Sequence, residues 1–132
     1  MSATYPIHHI TLTVNDIKAN TEWFQNLFGP ADIVEREFED FSRTRMTWPA
    51  LDDLRIAVMS HHAADKSSTF NHLQPGLDHL GFECASPEEV GEWADKLDTL
   101  GYTHGPIEDV PYAVTVTART PDGIAIEFFF PK

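Results

Sequence analysis

The stretch Ile7-His8-His9-Ile10-Thr11-Leu12-Thr13-Val14 returns, at an offset of 70 residues, as Leu77-Asp78-His79-Leu80-Gly81-Phe82-Glu83-Cys84. His9 falls on His79, Ile10 on Leu80, Leu12 on Phe82 and Val14 on Cys84. The same shift lays Trp23 over Trp93, Leu27 over Leu97, Asp52 over Asp122 and Ile56 over Ile126. Matches at one constant offset mark an internal repeat. The chain reads as one supersecondary unit written twice.

Each copy opens with a strand of period-2 alternation, with His9, Thr11 and Thr13 on one face and Ile10, Leu12 and Val14 on the other. A helix follows. In the first copy Asn15 or Asp16 is its cap, Trp23, Phe24, Leu27 and Phe28 form its apolar stripe, and Gly29-Pro30 ends it. In the second, Ser86 is the N-cap with Pro87 at the first helical position. Val90, Trp93, Ala94, Leu97 and Leu100 face inward, and Gly101 stops the helix. Both tryptophans are expected in the core. Three extended segments complete each copy, at roughly 32–38, 42–48 and 54–60, then at roughly 106–110, 112–119 and 124–130. Pro121-Asp122-Gly123 is the turn between the last two. The expected fold class is α+β, two βαβββ modules whose sheets curve around a central cleft. The expected domain is single, 1–132, with module 1 at about 5–60, a polar linker at about 61–76 and module 2 at about 77–131.

The bulk composition narrows the function. Acids outnumber Lys and Arg by 21 to 9, for a formal charge of −12, which disfavours nucleic acid and anionic membrane surfaces as partners. Cys84 is the one cysteine, so no intrachain disulfide forms. No basic segment followed by an apolar run opens the sequence, and no run approaches the ~18 apolar residues of a membrane span. A soluble, cytoplasmic protein is expected.

The faces opposite the apolar ones carry polar groups: His9, Thr11 and Thr13; His79, Gly81 and Glu83; Thr115, Thr117 and Arg119. Arg45 and Thr47 belong to the same set if the repeat register holds. Glu127 sits inside the apolar run 124–130, and burying a carboxylate is costly unless it is paired or metal-bound. Pairing with Arg45 or Arg119 is one reading of it. The other is a metal site of two neutral imidazoles and one carboxylate, His9, His79 and Glu127, with open positions for water and substrate.

These residues resemble a family. The segments His9-Ile10-Thr11-Leu12-Thr13-Val14, Gly76-Leu77-Asp78-His79-Leu80-Gly81-Phe82 and Thr120-Pro121-Asp122-Gly123-Ile124-Ala125-Ile126-Glu127-Phe128 look like those of the vicinal oxygen chelate superfamily. That group holds glyoxalases, extradiol dioxygenases, fosfomycin-resistance enzymes and bleomycin-binding resistance proteins. The resemblance implies His9, His79 and Glu127 as ligands of one divalent metal, with Fe2+ favoured and Mn2+, Zn2+, Ni2+ or Co2+ as alternatives. It also implies a small-molecule substrate bound through neighbouring oxygens, and a homodimer.

Within the family, the glyoxalase and epimerase types usually have a fourth ligand at the end of the first half, where this chain has Ala57. The fosfomycin type needs basic groups around a phosphonate, and the loop 102–114 has no Lys or Arg. Bleomycin binders generally lack the metal ligands. The extradiol ligand set matches, although the Tyr usual ten residues before the Glu is Thr117 here. A ring-cleaving, extradiol-type dioxygenase is therefore the leading expectation. A glyoxalase- or epimerase-like lyase or isomerase and a non-catalytic drug-binding protein are the alternatives. His62 and Tyr112 are the candidate catalytic groups, with His61 also near; Arg45, Thr47, Thr115 and Thr117 are the candidate substrate-binding positions.

Overall fold

A strand whose polar and apolar residues alternate buries one face only, and a helix with one apolar stripe supplies the cover. The computed structural model builds this pairing twice, in two units, Met1–Ser68 and Thr69–Lys132. It describes residues 3–132; Met1 and Ser2, the first residues of the expected 1–132 domain, lie outside the described residues.

The first unit runs β1 (Ile10–Thr13), α1 (Ile17–Phe28), β2 (Asp32–Glu37), β3 (Phe41–Trp48) and β4 (Leu54–His61). Its sheet has the order β1-β4-β3-β2, with β1 parallel to β4 and the other pairs antiparallel. A short turn cannot join parallel neighbours, so the chain crosses over through α1. Asp16 Oδ1 accepts from the Ala19 amide at 3.0 Å and is the cap. Asn15 instead donates to the Ser68 carbonyl at 2.6 Å. Trp23, Phe24 and Leu27 are buried, as are Met46, Trp48, Ile56 and Val58 in the strands that α1 covers. Gly29, at φ 94°, takes the chain off the helix, and Trp48 Nε1 donates to its carbonyl at 2.8 Å.

The second unit runs β5 (His79–Glu83), α2 (Pro87–Leu100), β6 (Glu108–Val110), β7 (Ala113–Arg119) and β8 (Ala125–Pro131), with sheet order β5-β8-β7-β6. Ser86 Oγ accepts from the Glu89 amide at 3.2 Å, and Glu89 reaches back to the Ala85 amide at 2.6 Å. Val90, Ala94, Leu97, Val116, Ile126 and Phe128 are buried between helix and sheet. Trp93 departs from expectation, for it is only half-buried. It lies at the edge of the stripe, with one face stacked on Phe128 (4.1 Å between centroids, 10° between planes) and the Lys96 ammonium 5.5 Å from its centroid.

The repeat register holds only in part. β4 pairs Ala57 with Thr11, and β8 pairs Glu127 with Gly81, both consistent with an offset of 70. On the other side Ala57 meets Arg45, whereas Glu127 meets Thr117, an offset of 72. The turn absorbs the difference. The first hairpin spans residues 49–53, with a 3-10 turn at Pro49–Leu51 and left-handed Asp52 and Asp53. The second closes over Pro121-Asp122-Gly123, where the Thr120 amide donates to the Ile124 carbonyl at 3.0 Å. The structural counterpart of Thr117 is therefore Arg45, not Thr47.

One contact gives this unit a pH dependence. His104 Nε2 lies 2.5 Å from Asp98 near the end of α2, and its Nδ1 donates to the Gly105 carbonyl at 2.6 Å. The bond to Asp98, with that to Gly105, raises the His104 pKa above its usual value. A raised folded-state pKa stabilises fully below the unfolded value of about 6.5, and the gain is lost as pH rises through the folded value. Asp98 is 70% exposed, so solvent screens the pair. Asp98→Asn is expected to lower stability by about 0.5 kcal/mol at about pH 5.5 and by nothing measurable at about pH 9. Urea midpoints of both proteins at the two pH values check this.

Candidate metal centre

In the second unit, register decides which side chains meet. Glu127, in mid-strand on β8, has Gly81 of β5 on one side and Thr117 of β7 on the other, so all three share the face turned away from α2. His79, two residues before Gly81, shares that face. Its Nε2 stands 3.7 Å from Glu127 Oε1. Its Nδ1 is 2.7 Å from Asp78 Oδ1. An ionised carboxylate only accepts, so Nδ1 carries the proton and donates. That bond holds the Asp78 carboxyl below its usual range. In the neutral ring it leaves the Nε2 lone pair facing Glu127, the orientation a metal-binding histidine needs.

The donor set fits a divalent ion. Two ligands on one ion, each at about 2.1 Å, are separated by less than about 4.2 Å, and 3.7 Å satisfies this. Gly81 keeps the space open, for a Cβ there would lie 3.4 Å from Glu127 Oε1. The pair borders a cleft of about 340 Å³ that Phe70, His72, Thr117 and Arg119 also line. No ion pair joins Arg119 to Glu127 among the described residues; the Arg119 guanidinium donates to the Gly123 carbonyl at 3.2 Å. Among the described residues of this unit, no third His, Cys, Asp or Glu completes a metal group.

In the first unit His9 precedes β1 and is exposed, with its Nδ1 2.9 Å from Nδ1 of His8. Strand alternation puts it on the face of Thr11. Arg45 and Thr47 lie on that face too, and so do Arg43 and Arg55, which are not among the expected site residues. Alternation outward from Arg45 would have found Arg43. The His8 pKa is lowered by desolvation of its exposed ring and then by the charges of Arg55, His9, Arg45 and Arg43, so the positive field of these arginines reaches the start of β1.

Two of the expected catalytic groups lie elsewhere. His62 donates from Nδ1 to the Glu39 carbonyl at 3.0 Å, and its Nε2 is 3.3 Å from Ser42 Oγ, which donates to Glu37. Ser42 and Glu37 lie on the α1 side of the first sheet, and there His62 fastens the β2–β3 hairpin. His61 ends β4 with its ring against Phe41. Tyr112 is 69% exposed in the turn before β7. Five residues separate it from Thr117, about 17 Å of extended chain, which takes it out of reach of Glu127. Of the remaining positions, Thr117 borders the cleft and Thr115 lies buried on the same face of β7.

Known proteins are similar to this chain. The curated protein YqjT of Bacillus subtilis (strain 168), described as uncharacterized, is 25% identical over 134 residues, spanning 96% of this chain and 99% of that protein. The solved glyoxylase/bleomycin resistance protein/dioxygenase domain from Frankia sp. EAN1pec superposes with a TM-score of 0.86 at 23% identity, covering 98% of this chain and 100% of the other. A mutant of the fosfomycin resistance protein FosX from Listeria monocytogenes, complexed with Mn(II) and 1S,2S-dihydroxypropylphosphonic acid, superposes at 0.69 with 20% identity over 97% of this chain and 90% of its own. The family model for the Glyoxalase/Bleomycin resistance protein/Dioxygenase superfamily matches residues 6–128. With the repeated βαβββ unit and that match, the chain belongs to the glyoxalase/bleomycin resistance protein/dioxygenase superfamily.

Proposed function

We propose that this chain is a metal-dependent enzyme acting on a small molecule through two neighbouring oxygens, with His79, Glu127 and His9 as the protein ligands. The observation that carries the reading is the His79 ring, fixed by Asp78 so that its lone pair faces Glu127. A divalent ion held there would act as a Lewis acid, stabilising negative charge on the substrate oxygens. Asp78 holds the imidazole in one tautomer, and Gly81 leaves the carboxylate unobstructed. The Thr117 hydroxyl, beside Glu127 on the same face, is the group that hydrogen-bonds a substrate oxygen. The Mn(II) in the FosX complex supports a divalent ion, although it is a property of that protein.

Ala57 stands where a fourth ligand would be, so two histidines and one carboxylate leave positions open for a bidentate substrate and for O2. Ring cleavage of a catechol by an extradiol-type reaction is the activity this ligand set favours. Protein purified without chelators is expected to hold about one divalent ion per chain, and with Fe2+ to take up oxygen when given catechols. Absence of metal above background would sink the reading. Metal without oxygen uptake, but with isomerisation of hydroxyketones or hemithioacetals, would move the reaction to the glyoxalase type. Asp78→Asn is expected to weaken metal affinity about 10- to 100-fold without unfolding the chain, read by competition with a chromogenic chelator.

A further inference from the structure

Nine basic residues serve a chain of charge −12, and four of them, Arg36, Arg43, Arg45 and Arg55, project from one face of the first sheet. Arg43 and Arg45 are next-but-one neighbours on β3. Arg55 on β4 lies diagonal to Arg45, since Arg45 pairs with Ala57 and Arg55 with Thr47. Side chains so placed are within reach of one another, and like charges there repel. Yet among the described residues no carboxylate lies within ion-pair distance of Arg43, Arg45 or Arg55. Asp32 is the one acid that the register puts on this face, at the start of β2 beyond Thr47. The Arg45 Nε–H is buried and has no hydrogen-bond partner. A buried donor left without a partner is costly, and this one belongs to a guanidinium whose fork matches an oxyanion.

The second sheet sharpens the contrast. At the positions where it has Glu127 flanked by Thr117, the first sheet has Ala57 flanked by Arg45. The charge of the equivalent place is inverted, from anionic to cationic.

We propose that this face of the first unit binds an oxyanion group, a carboxylate or a phosphoryl group, with Arg45 and Arg55 as its principal donors and Arg43 in support. It rests on the enzymatic reading only for assigning that anion to the substrate; the anion site itself is independent of the metal. Bound, the oxyanion offsets the repulsion among the arginines and takes hydrogen bonds from their guanidinium groups.

The test uses the full chain treated with EDTA, in the wild-type and His79→Ala backgrounds, so that metal binding cannot contribute. Inorganic phosphate and succinate are titrated separately, and the Arg Nε–H signals are followed by NMR. Saturable binding of one of them in both backgrounds, with the Arg45 signal shifting, is the expected result, and the tighter of the two identifies the group. Arg45→Ala and Arg55→Ala are each expected to weaken that binding at least about tenfold. Arg45→Lys, which keeps the charge and the fold but not the fork, is expected to recover only part of it. Lys96→Ala, which removes the same charge from α2 of the second unit, should change it less than about twofold. Absence of saturation by both anions up to about 50 mM overturns the proposal. So does an equal loss in Lys96→Ala, which would reduce the effect to bulk charge. If Arg45→Ala does not fold, Arg55→Ala and Arg45→Lys decide the matter. Loss of metal in His79→Ala with anion binding intact, or the reverse in Arg45→Ala, separates failure of one reading from failure of the other.

Discussion

Glu127→Gln protein is expected to fold normally and to lose its metal. The substitution keeps the size of the side chain and removes its charge. Glu127 is 22% exposed at the edge of an open cleft, so a neutral amide there remains within reach of water. Stability should move by less than about 1 kcal/mol. Metal affinity should fall by more than about 100-fold, beyond the range typical of a group that only orients a ligand. His79→Ala should lose metal to the same degree, with turnover falling in parallel. Metal content per chain by mass spectrometry, set beside thermal melts of the same samples, separates the two quantities. Metal retained by both variants would place the ion elsewhere and leave the His79–Glu127 pair a structural contact.

Phe128→Ala is expected to have the largest effect on stability. Phe128 follows Glu127 directly but faces the opposite way, 1% exposed beneath α2. It pairs with Phe82 and Val116 on the neighbouring strands and takes the Trp93 ring face-to-face. Truncating a buried phenylalanine removes its transfer energy and leaves a cavity, about 3–5 kcal/mol in all. That is a large share of the about 5–15 kcal/mol by which natural domains are stable. The midpoint of urea unfolding should drop accordingly, and metal affinity with it, since the strand that holds Glu127 is anchored by its neighbour. Trp93→Ala should cost less than this, because that ring is only half-buried. A Phe128→Ala midpoint within about 1 kcal/mol of wild type would mean that the core closes over the gap.

Much of this was legible in the sequence because it depends on local chemistry. Ser86, Pro87 and Gly101 bound α2 whatever packs against it, and strand alternation fixed which residues share a face. The grouping of His79 with Glu127 came from their chemistry as metal ligands and from the resemblance of the segments around them to the superfamily. What escaped depends on turns and partners. The two-residue shift between β3 and β7 arises in turns of different length, and a scan at one constant offset cannot see it. His62 read as a free base because its partners, the Glu39 carbonyl and Ser42, lie across a hairpin. Tyr112 has the chemistry of a catalytic group, but the length of β7 separates it from Glu127. Arg43 and Arg55 were passed over because their significance is collective, arising only once β3 and β4 pair.

The shift between the two hairpins has a further consequence. Because side chains alternate, displacing a strand by an odd number of residues turns it inside out, whereas an even displacement leaves every buried residue buried. The two copies differ by an even step, so parity is conserved and the core does not register the change. The open face does register it, since a different side chain now stands beside the central position of the last strand. Turn length thus acts as an index that re-addresses a strand's chemistry without rewriting its residues. Two descendants of one module can in this way hold a threonine beside a carboxylate in one sheet and an arginine beside an alanine in the other.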